Sequence, residues 1–185
     1  MQANSSSTPT TLDVLVTRLV RDNTPTKLFS HASQPVLLLC KNIDPPYYRF
    51  LYERVGKDYD WVERLTVSDE VLAQMIQKPS VHIFVMMLGG APAGYFEIEE
   101  GTDNDSYLQY FGLFPQYIGQ GLGPWLLNQA IHSMLHQGAE RIFVETCDRD
   151  HPKALMTYQR AGFQPMGREH RQITIPYHYE GNEHG

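Results

Sequence analysis

Gly119-Gln120-Gly121-Leu122-Gly123, past the middle of this 185-residue chain, constrains the fold more than any other stretch. It follows a strand-like run, Ser106–Phe114, and leads into a helical one. There Leu127, Ala130, Ile131, Met134 and Leu135 recur at i, i+3, i+4, i+7 and i+8, and Gly138 closes the helix. Alternate glycines let the backbone take positive φ and come close to a ligand. A helix N-terminus adds unpaired N–H donors and a partial positive charge. Such a junction suits a pyrophosphate, and it equally suits a tight strand-to-helix turn without a ligand. Spacing removes two common phosphate loops. The dinucleotide fingerprint needs a third glycine where this chain has Pro124, and no Gly-Lys-Ser/Thr follows to make a Walker loop.

The flanking pattern predicts alternating strands and helices. Residues 1–11 read as a flexible Ser/Thr-rich tail, and Leu12–Val20 and Val36–Cys40 as strands. Tyr47–Val55 carries aromatics at helical spacing up to Gly56. Ser68 caps a second amphipathic helix through Val71, Leu72, Met75 and Ile76 that stops at Pro79. Val81–Leu88, Ala93–Glu99 and Ser106–Phe114, with short connections, predict an antiparallel meander. Beyond the glycine loop and its helix come a buried-type strand, Arg141–Glu145, and a short helix, Ala154–Arg160. Two late strands, Phe163–Met166 and Gln172–Ile175, complete the reading. The expectation is one α/β unit over residues 12–180, in two parts, 12–79 and 80–180. Gly112, next to the end of its strand, is expected to mark a β-bulge that frees backbone donors.

Two stretches together resemble the GNAT superfamily of acyl-CoA-dependent N-acetyltransferases. Phe114 to Leu127 looks like that family's cofactor motif, a strand ending before Pro and then Arg/Gln-x-x-Gly-x-Gly/Ala entering a helix. His151-Pro152-Lys153-Ala154, followed by Tyr158 and Gly162-Phe163, resembles its second signature. Matching the last two glycines, Gly121 and Gly123, puts Ile118 where the family has Arg or Gln, and Gln116 fits only in a shifted register with Gly119 and Gly121. Pro124 removes one N–H, and His151 replaces an Asn. The resemblance covers roughly residues 80–166. It implies a mixed, mainly antiparallel central sheet with helices on both faces, and acetyl-CoA as acetyl donor.

The resemblance also implies roles. Leu113 N–H would polarise the thioester carbonyl, and Ile118, Gly119, Gln120, Gly121, Leu122, Gly123 and His151 would contact CoA. Tyr158 would give a proton to the departing thiolate. A carboxylate sometimes found four residues before the carbonyl-binding position is Gln109 here, a poor base. Glu97 on the neighbouring strand, sharing a face with Tyr95 and Glu99, is the candidate base, acting directly or through water; an ordinary solvated carboxylate is the competing reading. Cys147 and His151 have no metal-site spacing, and no metal is expected.

Charge narrows the partners. Fifteen Lys and Arg against twenty-one Asp and Glu leave a net charge of −6, unsuited to gripping a phosphate backbone broadly. Nucleic acid is therefore disfavoured. The apolar runs Val36–Cys40 and Val81–Leu88 are far short of a bilayer span, and two cysteines make no disulfide scaffold. A cytoplasmic protein without membrane contact is expected, with homodimerisation left open. The resemblance implies that the early helices wall the acceptor site, so Tyr47–Trp61, with its tyrosines, Phe50, Trp61, Glu53, Asp58 and Asp60, suggests a small cationic amine as acceptor; core and helix packing is the competing reading for most of these aromatics. A peptide amine, or a CoA-binding regulatory module without transfer activity, are the rivals.

Overall fold

The computed structural model describes residues 9–176. Residues 1–8 of the expected tail, and the chain end with His178 and His184, lie outside the described residues. The strands are β1 (Thr10–Asp22), β2 (Val36–Cys40), β3 (Val81–Leu88), β4 (Ala91–Glu100), β5 (Asp105–Leu113), β6 (Arg141–Cys147) and β7 (Gln164–Ile175). The helices are α1 (Pro45–Gly56), α2 (Asp69–Ile76), α3 (Leu122–His136) and α4 (Ala154–Arg160). One seven-stranded sheet runs in the order β2-β3-β4-β5-β6-β1-β7. Among the described residues only β5 and β6 pair in parallel.

Both faces of the sheet are covered. α1 and α2 bury Tyr48, Leu51, Tyr52 and Leu72 against Ile83, Val85 and Tyr95. α3 and α4 bury Leu122, Leu126, Ile131 and Tyr158 against Phe96, Ile98, Ile142 and Val144 on the opposite face. Cover on two sides explains the apolar run Ile83–Leu88 of β3, because Ile83 and Val85 pack under α1 and α2 while Phe84, Met86 and Leu88 pack into the opposite cluster. Ser68 caps α2 as its sequence position predicts, its hydroxyl accepting from Val71 N at 3.3 Å.

Three elements differ from the sequence expectation. β1 starts inside the expected tail, because Thr10 pairs with Ile175 of β7. β7 is one continuous strand, not two short ones. Its middle, Gly167–Arg171, has no apolar alternation and nearly the whole strand is exposed. The backbone ladder to β1 holds it, helped by the ion pair from Arg18 of β1 to Glu169. The bulge in β5 lies at Gln109, between the pairs Glu97–Tyr110 and Ile98–Leu108, whereas Gly112 sits in regular register opposite Tyr95.

Gly112 is needed for a different reason. A Cβ there would lie 2.2 Å from Cγ1 of Val55, a buried residue of α1. The glycine lets helix and strand touch. Gly112→Ala is therefore expected to cost about 1–3 kcal/mol through overpacking. In urea titrations the Gly112→Ala/Val55→Ala double variant should lose less than the sum of the singles by about 1 kcal/mol; strict additivity would refute the contact as the cause.

Candidate active site

The site begins where two neighbouring strands part. β5 pairs with β6 only over Asp105–Leu108 and Arg141–Val144. Past that point β5 bulges at Gln109, while β6 stays with β1 as far as the Val16–Cys147 pair. The gap opens into a cavity of about 330 Å³, walled by β5 from Leu108 to Leu113 on one side and by β6, its following loop and α4 on the other. Antiparallel pairing fixes where the β5 amides point. Phe114 N donates to Ala93 O of β4 at 2.9 Å, so the alternating N–H groups of Leu113 and Phe111 face the gap.

The glycine loop closes one end of this cavity. Gly119 and Gly121 take φ of +84° and +79°, which only glycine adopts without strain. Gly121 is the N-cap of α3 and no side chain caps it, leaving the first-turn amides unpaired by capping. Pro124 in that first turn contributes no N–H. Of the predicted cofactor contacts, Leu113, Ile118, Gly119, Gly121, Gly123 and His151 line the cavity, but Gln120 and Leu122 do not. Leu122 is wholly buried in the core beneath α3. Gln120 turns away: its side chain donates to Gln116 O at 2.8 Å, and its carbonyl meets Nε2 of His31 at 3.0 Å.

Tyr158 reaches the same cavity from α4, packed against Phe111 and Phe163 with ring centroids 6.1 and 5.8 Å away. Burial, reinforced by the nearby Asp150 charge, pushes its phenol well above the ordinary tyrosine range, so it holds its proton. His151 does two things at once. It lines the cavity, and it starts α4, its Nδ1 accepting from Lys153 N at 3.1 Å and its carbonyl from Ala154 N at 2.7 Å.

Asp150 is a wall residue that the sequence reading passed over, and Trp61 beside it comes from the aromatic segment assigned there to the acceptor side. Asp150 accepts from Thr146 Oγ1 at 2.7 Å and Cys147 N at 3.0 Å through one oxygen, and from Trp61 Nε1 at 3.4 Å through the other. Its place directly before His151 in the second motif was the available signal. Trp61 returns to the site because Gly56 permits it: a Cβ at Gly56 would sit 2.3 Å from Trp61 Cβ. Arg149 forms an ion pair with Asp60, and the Tyr59 ring meets the His151 ring edge-on at 6.3 Å. Residues 59–61 and 149–151 thus tie the two walls together.

Glu97 is not where a base for an amine in this cavity must be. It is fully buried under α1 and does not line the cavity. Its oxygens are engaged by Tyr48 OH at 2.6 Å and Arg64 Nη2 at 3.0 Å. Burial pushes its carboxyl up, opposed by the Arg64 charge and the Tyr48 hydroxyl. The expected exposed strand face is covered because Arg64, far away in sequence, folds over it and lays its guanidinium on Tyr110 at 5.3 Å from the ring centroid. Gln109 is exposed on the cavity wall and donates to Glu99 at 3.0 Å. Glu97→Gln leaves the Arg64 charge buried without its counter-ion and should cost about 3–5 kcal/mol in chemical denaturation. A loss below about 1 kcal/mol would refute the pairing.

Among the described residues no group of three or more His, Cys, Asp or Glu is placed to hold a metal ion. No described helix is long and apolar enough to cross a membrane.

Comparison with known proteins matches this geometry. Residues 41–163 match the Acetyltransferase (GNAT) family. A protein of Bacillus subtilis (strain 168), provisionally named a ribosomal protein bS18-alanine N-acetyltransferase, is 30% identical over 100 residues. That match covers 54% of this chain and 65% of the relative, so just under two thirds of the relative is spanned. Among solved structures, the ribosomal-protein-S18-alanine N-acetyltransferase of Escherichia coli superposes with a TM-score of 0.58 at 16% identity, covering 81% of this chain and 99% of that one. An aminoglycoside acetyltransferase from an uncultured soil metagenomic sample, in complex with trehalose, gives 0.57 at 16% identity over 73% of this chain and 90% of that one. These structures share the fold, and the parted strands, the glycine loop and the family match over most of the sheet lead to one conclusion: the chain belongs to the GNAT acetyltransferase family.

Proposed function

We propose that the protein is an N-acetyltransferase that moves an acetyl group from acetyl-CoA to a primary amine of a small cationic molecule, by direct attack with both substrates bound. One observation carries the reading: the Leu113 amide and the Tyr158 side chain converge on the cavity that the glycine loop closes. The residues present fit CoA. Uncrowded positive-φ glycines and the uncapped start of α3 offer backbone donors to a pyrophosphate.

The acetyl donor supplies an activated thioester carbonyl, and this chain supplies the positions. Leu113 N–H, fixed by the β4 ladder, donates to the oxygen on which negative charge develops. The amine nitrogen bonds to the carbonyl carbon as the carbon–sulfur bond breaks. Tyr158, kept protonated by burial, donates its proton to the departing sulfur, and the proton that the new amide nitrogen sheds returns through water to the Tyr158 phenolate. An alkylammonium with a pKa of about 10.4 must first lose a proton. Asp150 faces the cavity beside Trp61 and receives the ammonium, water carrying its proton away. Glu145 also lines the cavity, but ion pairs to Arg18 and Arg171 occupy it. Glu97 acts as a positioning residue: through Arg64 it holds the Tyr110 wall.

The tied walls at 59–61 and 149–151 favour a small amine over a folded chain. The name of the Bacillus subtilis relative favours a second reading, the N-terminal amine of a peptide. A free-thiol assay over a panel of small amines and short peptides separates them. Small polyfunctional amines should be turned over faster; turnover of peptides alone would replace this acceptor assignment. Tyr158→Phe should lower kcat by roughly 10²-fold, with CoA affinity and the apparent pKa values of the pH–rate profile unchanged. Unchanged kcat would remove Tyr158 from the proton step.

A further inference from the structure

β1 is the first strand of the chain, yet it lies between β6 and β7 in the sheet, and it falls outside the residues that match the family. Its place gives it a hold on the site. Once β6 parts from β5 beyond Val144, β1 still pairs with Glu145, Thr146 and Cys147. One step past the Val16–Cys147 pair, the same register sets Leu15 opposite Asp148. Residues opposed in an antiparallel ladder exchange two N–H···O=C bonds at every second pair. Here one of the two bonds has the regular form: Asp148 N donates to Leu15 O at 3.2 Å. The other is altered. Leu15 N donates to the Asp148 side chain, Oδ1 at 3.1 Å, where a ladder would use the Asp148 carbonyl.

That exchange of acceptors lets the strand end without leaving Leu15 N–H unpaired. With its carboxylate standing in for its carbonyl, Asp148 closes the ladder while the backbone turns away from β1. Two residues later the turn is complete. Asp150 N donates to Cys147 O at 3.1 Å, and the Asp150 carboxylate folds back on Thr146 Oγ1 and Cys147 N. Asp150 is thereby set at the cavity, with its other oxygen on Trp61 Nε1. Asp148 itself is exposed and does not line the cavity, so it touches nothing bound there. The neighbouring ion pair of Arg149 with Asp60 is exposed too, and such pairs hold little by themselves. His151 is fastened separately, by its own bonds to Lys153 N and Ala154 N at the start of α4.

We propose that Asp148 is a positioning residue for the acceptor amine: its side chain fastens the loop after β6 to Leu15 of β1, and so sets the Asp150 carboxylate at the cavity. The assignment rests on the acetyltransferase reading above, in which Asp150 receives the ammonium. It makes the first strand of the chain a working part of the acceptor side. The hydrogen bond does the holding, not the charge, since an amide oxygen in the same place accepts from Leu15 N as well.

Steady-state kinetics, calorimetry and 15N spectra of the full chain and its Asp148→Ala and Asp148→Asn variants test this. For the amine that the parent turns over fastest, Asp148→Ala should lower kcat/KM roughly tenfold through a raised amine KM, because a displaced binding group is costly. Acetyl-CoA affinity should stay unchanged, and Asp148→Asn should restore the parent's amine KM. The Trp61 indole N–H signal, identified by its loss in Trp61→Phe, should move in Asp148→Ala and stay in place in Asp148→Asn. An unchanged amine kcat/KM in Asp148→Ala, or an equal loss in both variants, would overturn the role. A parent that turns over no amine defeats the acetyltransferase reading instead. The indole signal then decides alone, and an unmoved signal in Asp148→Ala overturns the positioning of Asp150 as well.

Discussion

Everything in this molecule turns on β6 keeping its pairing with β1 while releasing β5. Paired strands bury their peptide groups in a shared ladder, and a strand that leaves the ladder must find other partners for them. Here the parting strands surround a cavity, so the amides of Leu113 and Phe111 face space that a ligand can fill. The Gln109 bulge supports the separation, since an extra residue bends and twists the strand that carries it. The rest of the sheet holds the two halves at a set distance: the β3–β4–β5 meander on one side, β6–β1–β7 on the other.

Each wall of the gap is stiffened by different chemistry. On the α3 and α4 side an apolar cluster supports the helix whose N-terminus meets the loop, and the same cluster carries Tyr158. On the α1 and α2 side the support includes charge. Tyr48, Glu97 and Arg64 form a buried chain that ends on the Tyr110 ring, and Tyr52 and Trp61 meet that ring edge-on with centroids 5.1 and 5.2 Å away. A buried ion pair of this kind adds little net stability over apolar packing, but removal of one partner is costly. It holds the aromatic wall in one arrangement.

How much was legible beforehand follows from the range of the interactions. The glycine loop, α3 and the placing of Tyr158 depend on neighbours a few residues apart, so periodicity and motif spacing reported them. Glu97 misled because its partners Tyr48 and Arg64 come from other elements, and alternation along β4 cannot tell a face covered by a distant arginine from one covered by water. Gly112 has a Cβ-free close approach to Val55 that looks, in a linear reading, the same as a bulge. β7 was split because its ladder to β1, not side-chain burial, makes it a strand. Residues 23–31 lack periodicity altogether, and only the hydrogen bonds of Asn128 to Thr26 and of His31 to Gln120 show what they lie against.

The central claim is that the gap between β5 and β6, with the glycine loop, is the seat of the acyl donor. Amide chemical shifts of the 15N-labelled protein during titration with CoA test it most directly. The account predicts the largest changes at Phe111, Leu113, Gly119, Gly121 and Gly123, with β2 and the outer edge of β7 unmoved. Saturable binding whose shifts avoid β5 and the loop would contradict it.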